Sequence, residues 1–361
     1  MEQRLPSSGG RSNSGTHKRY WIEDRSYFSI IKKDIAKAAE GLGFSVEQIG
    51  KLNIIVAELS SNLLKFGDKK REFLWKIIYQ NGKGGIEIIS IDKGRGIGNI
   101  NQAMQDGFST SGTAGEGLGA IKRLSHYFDL YSQSGQGTVL LSRLFSSDKN
   151  APLQTPPIAS GFSVPKPGEE FCGDGYELDI DTDKNQFQVL ILDGLGHGTE
   201  AHAASEAALE VYKRLPKNSP AQVLQQIDHS IKKTRGAVGM ALNYNFKEQS
   251  ISYCGVGNIT GKLLGFDFGK SLISFNGIVG HVMSSRIHDQ ELEWGRGRLL
   301  ILHSDGINTR WDINKYPHIQ AHDPSILAAC LYRDHSRGTD DVTIVVSRCP
   351  INDGRGAKTY N

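Results

Sequence analysis

Apolar residues return at helical spacing through Phe28, Ile31, Ile35 and Ala38, the period of a helix that buries one stripe of its surface. A second helix is predicted from about Val46 to Lys65. Its stretch LNIIVAELSSNLLK (52–65) is apolar on nearly every side, which predicts extensive burial. Short apolar runs then predict strands near Phe73–Tyr79 and Gly85–Ile91, a helix over about Gly117–Tyr127 and a strand near Thr138–Leu144. The segment FSSDKNAPLQTPPIASG (145–161) has no periodicity and carries Pro152, Pro156 and Pro157, so it reads as a linker. Beyond it the pattern turns mostly to strands, at 187–192, 251–254, 299–302 and 343–346, with helices over about 200–213 and 221–234. The expected organisation is a disordered tail (1–20), a first domain (21–145), the linker (146–160), a second domain (161–348) and a C-terminal tail (349–361). The fold class is α/β (α+β).

A chain of 361 residues exceeds one ordinary core, in keeping with two domains. The formal charge of +3 is near balance, and no basic arm supports nucleic-acid or membrane binding. No stretch approaches the roughly 18 apolar residues of a membrane span, and the polar N-terminus lacks the apolar run of a signal peptide. The four cysteines are widely spaced, with no C-x-x-C pair, which suits reduced thiols in a cytoplasmic protein. The sequence does not decide between a monomer and a homodimer.

Candidate chemistry in the first half rests on three signals. Glu58 and Asn62 interrupt the apolar second helix four residues apart and so share one face. They could be a surface pair, or polar groups whose partners are a bound Mg²⁺ and its phosphates. In IDKGRGI (91–97) a strand ends on Asp92, an acceptor suited to the exocyclic amine of adenine, and Gly94 and Gly96 would let backbone approach a ligand. In STSGTAGEGLGAIKRL (109–124) glycines crowd a loop that enters a helix, offering amides to phosphate; a flexible loop reads the same way. In this order the three resemble the N, G1 and G2 boxes of the GHKL ATPase/kinase superfamily. The run DGFSTSGTAGEGLGAIKRLSHYFDL (106–130), followed by GQGT (135–138), resembles the RsbT-type serine kinases of bacterial stressosomes. The resemblance covers about 24–143. It implies a Bergerat-type α/β sandwich that binds ATP, with Asn62 as Mg²⁺ ligand, Asp92 as adenine contact and Glu58 as the base that activates a substrate hydroxyl. Gly94, Gly96, Gly117 and Gly119 would shape the pocket. A sensor histidine kinase would need a phospho-accepting histidine on a dimerising helix, and none precedes this domain, so the expected acceptor is a protein serine or threonine.

The second half is punctuated by carboxylates beside apolar runs: Asp174 in CGDGYE, Asp193 opening DGLGHG, Asp305 opening DGI, and Asp340 with Asp341 before the final strand. One Asp-Gly is ordinary turn chemistry. Several gathered at one sheet end would repel each other and call for a hard divalent cation held by oxygen. The order GD…DGLGHG…SDGI…DDVTIVV, with CGVGN at 254–258, resembles the SpoIIE/RsbX branch of the metal-dependent (PPM, type 2C) protein phosphatases, over about 161–347. That resemblance implies an αββα sandwich and two Mn²⁺ or Mg²⁺ ions. Asp193 would bridge them, the Gly194 carbonyl would bind one, Asp305 and Asp340 would hold the other, and Asp174 would act directly or through water. A metal-bridging water would attack the phosphoserine. His197 reads as a solvent-exposed loop histidine rather than a general acid, and Asp341 as a supporting residue.

The expected function is a bifunctional partner-switching regulator. Its first domain would phosphorylate a STAS-domain switch protein and its second would remove the phosphate. The rival expectation is a phosphatase whose GHKL domain only binds ATP, or sequesters a regulator as anti-sigma relatives do.

Overall fold

The computed structural model describes residues 15–349, apart from 69, 81, 105–116, 147–156, 182–185, 217–218, 246, 266–267 and 296. The first half runs β1 (Lys18–Trp21), α1 (Ser26–Gly41), α2 (Val46–Phe66), β2 (Glu72–Gln80), β3 (Lys83–Ile91), α3 (Ile100–Ala103), α4 (Gly117–Leu124), β4 (Tyr127–Gln133) and β5 (Gly137–Phe145). Its strands form an antiparallel sheet in the order β1-β2-β3-β5-β4. One sheet face packs on α1, α2 and α4 through Ile31, Ile35, Leu52, Ile55, Leu59 and Ile121. Helix α2 starts at a capping box: the Ser45 hydroxyl accepts from the Gln48 amide, and the Gln48 side chain accepts from the Ser45 amide.

The second half continues β6 (Ala159–Val164), β7 (Asp174–Asp181), β8 (Gln186–Gly194), α5 (Thr199–Arg214), α6 (Pro220–Ser230), β9 (Ala237–Asn245), β10 (Ser250–Val256), β11 (Thr260–Leu264), β12 (Gly269–Leu272), β13 (Gln290–Glu293), β14 (Leu299–His303), α7 (Pro324–His335) and β15 (Val342–Arg348). Two five-stranded sheets, β13-β10-β9-β8-β7 and β12-β11-β14-β15-β6, share an apolar core that includes Phe187, Val189, Leu242, Leu300 and Trp294. Helices α5 and α6 cover the outer face of the first sheet through Ala208, Leu209, Leu224 and Ile227. Helix α7 covers the outer face of the second. The architecture is thus mixed α/β with an αββα sandwich in this half.

Two expectations need correction. Residues expected in a disordered N-terminal tail (1–20) include Lys18, Arg19 and Tyr20, which belong to β1, and His17, whose side chain is buried against Ser163 and Glu87. The expected linker overlaps β6, which begins at Ala159; its residues 147–156 lie outside the described residues, as does the C-terminal tail from 350.

The two halves also share a core. Helix α7, buried from Pro324 to Arg333, lies between the first sheet and β6–β15, and a single apolar cluster joins Leu74, Ile89 and Leu141 to Phe162, Ile344 and Leu331. Polar groups cross the same boundary. The Arg143 guanidinium donates to Glu87 at 2.6 Å and grips Asp323 with bonds of 2.7 and 3.1 Å, while Lys76 donates to the Gly161 carbonyl and to Tyr176. Asp323 is also the N-cap of α7. Burying these charges costs solvation, which the paired geometry offsets. No helix among the described residues is long and apolar enough to cross a membrane.

Candidate functional site

The apolar side of α2 seals the first core, so its remaining face is left to line a cavity. Glu58 and Asn62 project there, opposite Asp92 just past the end of β3. The cavity has a volume of about 520 Å³ and is also lined by Leu59, Phe66, Arg95, Gly96, Ile97, Gly117 and Thr138. Asp92 accepts from the Gly94 amide at 2.7 Å, and burial raises its carboxyl above the usual range. Gly96 has φ +69, and a Cβ there would stand 2.1 Å from the Gln133 carbonyl oxygen, so both conformation and space require glycine. At Gly117 a Cβ would lie 2.8 Å from the Glu58 carboxylate. Lys65 lines the cavity as well.

Of the residues expected at this pocket, Glu58, Asn62, Asp92, Gly96 and Gly117 line one space. Gly94 lines an adjoining groove instead, against the Phe66 carbonyl, and Gly119 is buried within α4. The glycines of the preceding loop, 112 and 115, lie outside the described residues. Thr138 and Arg95 were not singled out from the sequence. The GQGT run offered a signal for the first, and the second lies inside the quoted IDKGRGI.

The second site forms where strands stop. Asp193 is the penultimate residue of β8; Asp305 lies two residues past β14, and Asp340 two before β15. Because β14 and β15 are antiparallel neighbours, the end of one and the start of the other fall at the same sheet edge. The three carboxylates line a cavity of about 430 Å³ with Leu195, Gly196, His197, Asn258, Asn276 and Gly277. Asp174 is paired across the β7–β8 ladder with Asp193 and is buried behind it. Gly194, the last residue of β8, donates its amide to the Gly173 carbonyl.

The electrostatics are those of like charges held together. Burial, then Asp305 and Asp340, push the Asp193 carboxyl up to about 7. Burial, then Asp193, raise Asp174 well above the carboxylate range. The Ser304 hydroxyl donates to Asp174 at 2.6 Å, and Asn258 donates to Asp305 at 3.0 Å. Asp341 accepts from the Lys166 and Gly173 amides at 2.7 and 2.9 Å and so latches the loops beside the site. His197 is exposed and paired with Glu169 at 2.8 Å. Ser304 and Asn258 are supporting residues to which sequence reasoning assigned no role, although both lie inside quoted motifs, SDGI and CGVGN.

An oxygen-only set of mutually repelling carboxylates fits Mg²⁺ or Mn²⁺. Among the described residues no group of three or more His, Cys, Asp or Glu side chains is arranged to hold a metal ion by itself.

The family profile for Stage II sporulation protein E (SpoIIE) matches residues 183–350. The chain is 38% identical over 100 residues to serine/threonine-protein kinase RsbT of Bacillus subtilis (strain 168), covering 28% of this chain and 74% of RsbT. It is 27% identical over 150 residues to phosphoserine phosphatase RsbX of the same organism, covering 41% of this chain and 73% of RsbX. A crystal structure of RsbX in complex with magnesium superposes with a TM-score of 0.48 at 21% identity, covering 53% of this chain and 94% of that one.

Proposed function

The chain belongs to the RsbT family over a stretch of 100 residues and is a protein serine/threonine phosphatase of the SpoIIE/RsbX type, and from that premise we propose that it writes and erases one phosphate on a switch protein. In this reading residues 21–145 are a GHKL-type kinase domain and 161–348 the phosphatase domain. The substrate is a serine or threonine of a STAS-domain protein in the cytoplasm. The observation that supports it is the pair of cavities in one chain: Glu58, Asn62 and Asp92 around the first, Asp193, Asp305 and Asp340 around the second.

In the first cavity Asp92 would accept the adenine amine, Asn62 would hold a Mg²⁺ ion, and Glu58 would act as base toward a substrate hydroxyl. Lys65 and Arg95, which also line the cavity, would offset phosphate charge. Transfer of this kind needs positioning and charge neutralisation more than covalent help. In the second cavity Asp193, the Gly194 carbonyl, Asp305 and Asp340 would hold two Mn²⁺ or Mg²⁺ ions, with Asp174 supporting from behind. Bound there, the ions supply a nucleophilic water at neutral pH and stabilise charge on the phosphoryl group. Ser304 and Asn258 keep Asp174 and Asp305 aimed.

Labelled ATP tests the proposal directly. With the γ-phosphate labelled and a STAS protein as acceptor, wild-type chain should label the acceptor and then release the label when Mn²⁺ is supplied. Glu58→Ala should cut labelling by about 10²-fold or more while the nucleotide still binds. Asp193→Ala should label normally and leave the label in place. A chain that binds nucleotide and partner but never transfers phosphate would reduce the first domain to a binding module.

A further inference from the structure

The C-terminal turn of α7 stands between the two cavities and touches the frame of each. Arg333 donates through Nε and Nη2 to Asp334 at 2.9 and 2.8 Å, and Tyr316 donates to the same carboxylate at 3.0 Å. The Arg333 side chain is 1% exposed. Across the boundary Lys93, the residue after Asp92, lies 3.8 Å from Asp334. On the other side the turn straps the loop that carries Asp305. The Asn308 amide donates to the His335 carbonyl and the Arg337 amide to the Gly306 carbonyl, both at 2.9 Å, and Ile307 bridges Ser336.

This boundary is also under-satisfied. Among the described residues Arg333 Nη1, Tyr131 Oη, Gln133 Oε1 and His335 Nε2 are buried without hydrogen-bond partners. All four belong to β4 or to the last turn of α7. Buried polar groups normally find partners, so a patch that leaves several unmet has a second arrangement within reach. A ligand held by Asp92 would sit one residue from Lys93, whose ammonium meets Asp334.

We propose that Arg333 and Asp334, on the phosphatase half, are positioning residues that couple nucleotide occupancy of the first cavity to turnover at the second. The inference rests on the reading of the first cavity as a nucleotide site. Two sites, one shared element and a contact that differs with the ligand are what coupling requires. Coupling of binding is reciprocal, so a divalent ion at Asp305 alters nucleotide affinity by the factor that nucleotide alters its own.

The test uses the full chain with p-nitrophenyl phosphate at fixed free Mn²⁺, with and without a non-hydrolysable ATP analogue whose binding is titrated separately. Saturation with the analogue should change wild-type kcat by about fivefold or more. Arg333→Met and Asp334→Asn should bring that ratio to one while analogue binding and analogue-free turnover persist, and Asp334→Glu should restore it. Should Arg333→Met fail to fold, the half-exposed Lys93→Met carries the test and should shrink the ratio. A bound analogue that leaves wild-type kcat unchanged overturns the coupling alone, as do variants that keep the full ratio. An analogue that does not bind overturns the coupling together with the nucleotide reading.

Discussion

The two cavities are of similar size, about 520 and 430 Å³, yet opposite in electrostatic design. The first mixes signs: Glu58 and Asp92 face Lys65 and Arg95, with Leu59, Phe66 and Ile97 supplying an apolar wall. The second gathers Asp193, Asp305 and Asp340, with Asp174 behind them and Asn258 and Asn276 as neutral neighbours. A mixed, partly apolar cavity can be stable empty and still grip a flat base and a charged tail. A carboxylate cluster is strained until cations arrive. On the proposed reading the first cavity is stable when empty, whereas the second relaxes only when metal neutralises its carboxylates.

The contrast is sharpest at Asp193. Asp193→Asn should lower phosphatase turnover by about 10³-fold or more, yet melt at a higher temperature than wild type in metal-free buffer, because one repelling charge is gone. Added Mn²⁺ should raise the melting temperature of wild type far more than that of the variant, as calorimetry would register. A variant that melts lower without metal would remove the claim of strain.

The next largest effect lies between the cavities. Asp323→Ala leaves Arg143 buried without its bidentate partner and uncaps α7, a loss of about 3–5 kcal/mol by analogy with other broken buried pairs. Both halves should then unfold in one transition at lower denaturant. Two separated transitions would mean that the shared core is weaker than its packing implies.

The smallest effect is set by pH. Burial alone would raise the Glu87 carboxyl, but Lys76 and Arg143 hold it well below the usual range. A carboxyl depressed in the folded state contributes stability above its unfolded value, near 4.5, and loses it as pH falls from there through the folded value. The melting temperature should drop by a few degrees below about pH 4.5, with a shallower slope in Glu87→Gln.

Legibility in the sequence followed periodicity and motif. Helix α2 was expected over Val46–Lys65 and spans Val46–Phe66, because its apolar run and Ser45 cap act locally. Strands β8, β14 and β15 were visible as short apolar runs, since strands covered on both faces lose their alternation. Helix α7 was missed. PSILAACLYRDH is apolar all round because two halves of the chain bury it, and that leaves no amphipathic stripe to detect. Strand β1 was missed because four residues beside a polar tail carry no period, and its partner β2 lies some fifty residues on. At the sites, residues inside glycine- or aspartate-rich motifs could be found. Ser304, Asn258 and Thr138 could not be weighted, because their roles depend on strands brought together only by folding.

Burial of α7 on two sides has a practical consequence. Cutting the chain near residue 155 would expose Leu74, Ile89 and Leu141 on one fragment and Leu331 and Phe162 on the other. Fragments expressed alone should therefore precipitate or cling to chaperones, and recombining them in trans should recover solubility. Whoever wishes to study either activity by itself will do better to silence the other with a point substitution than to remove its scaffold.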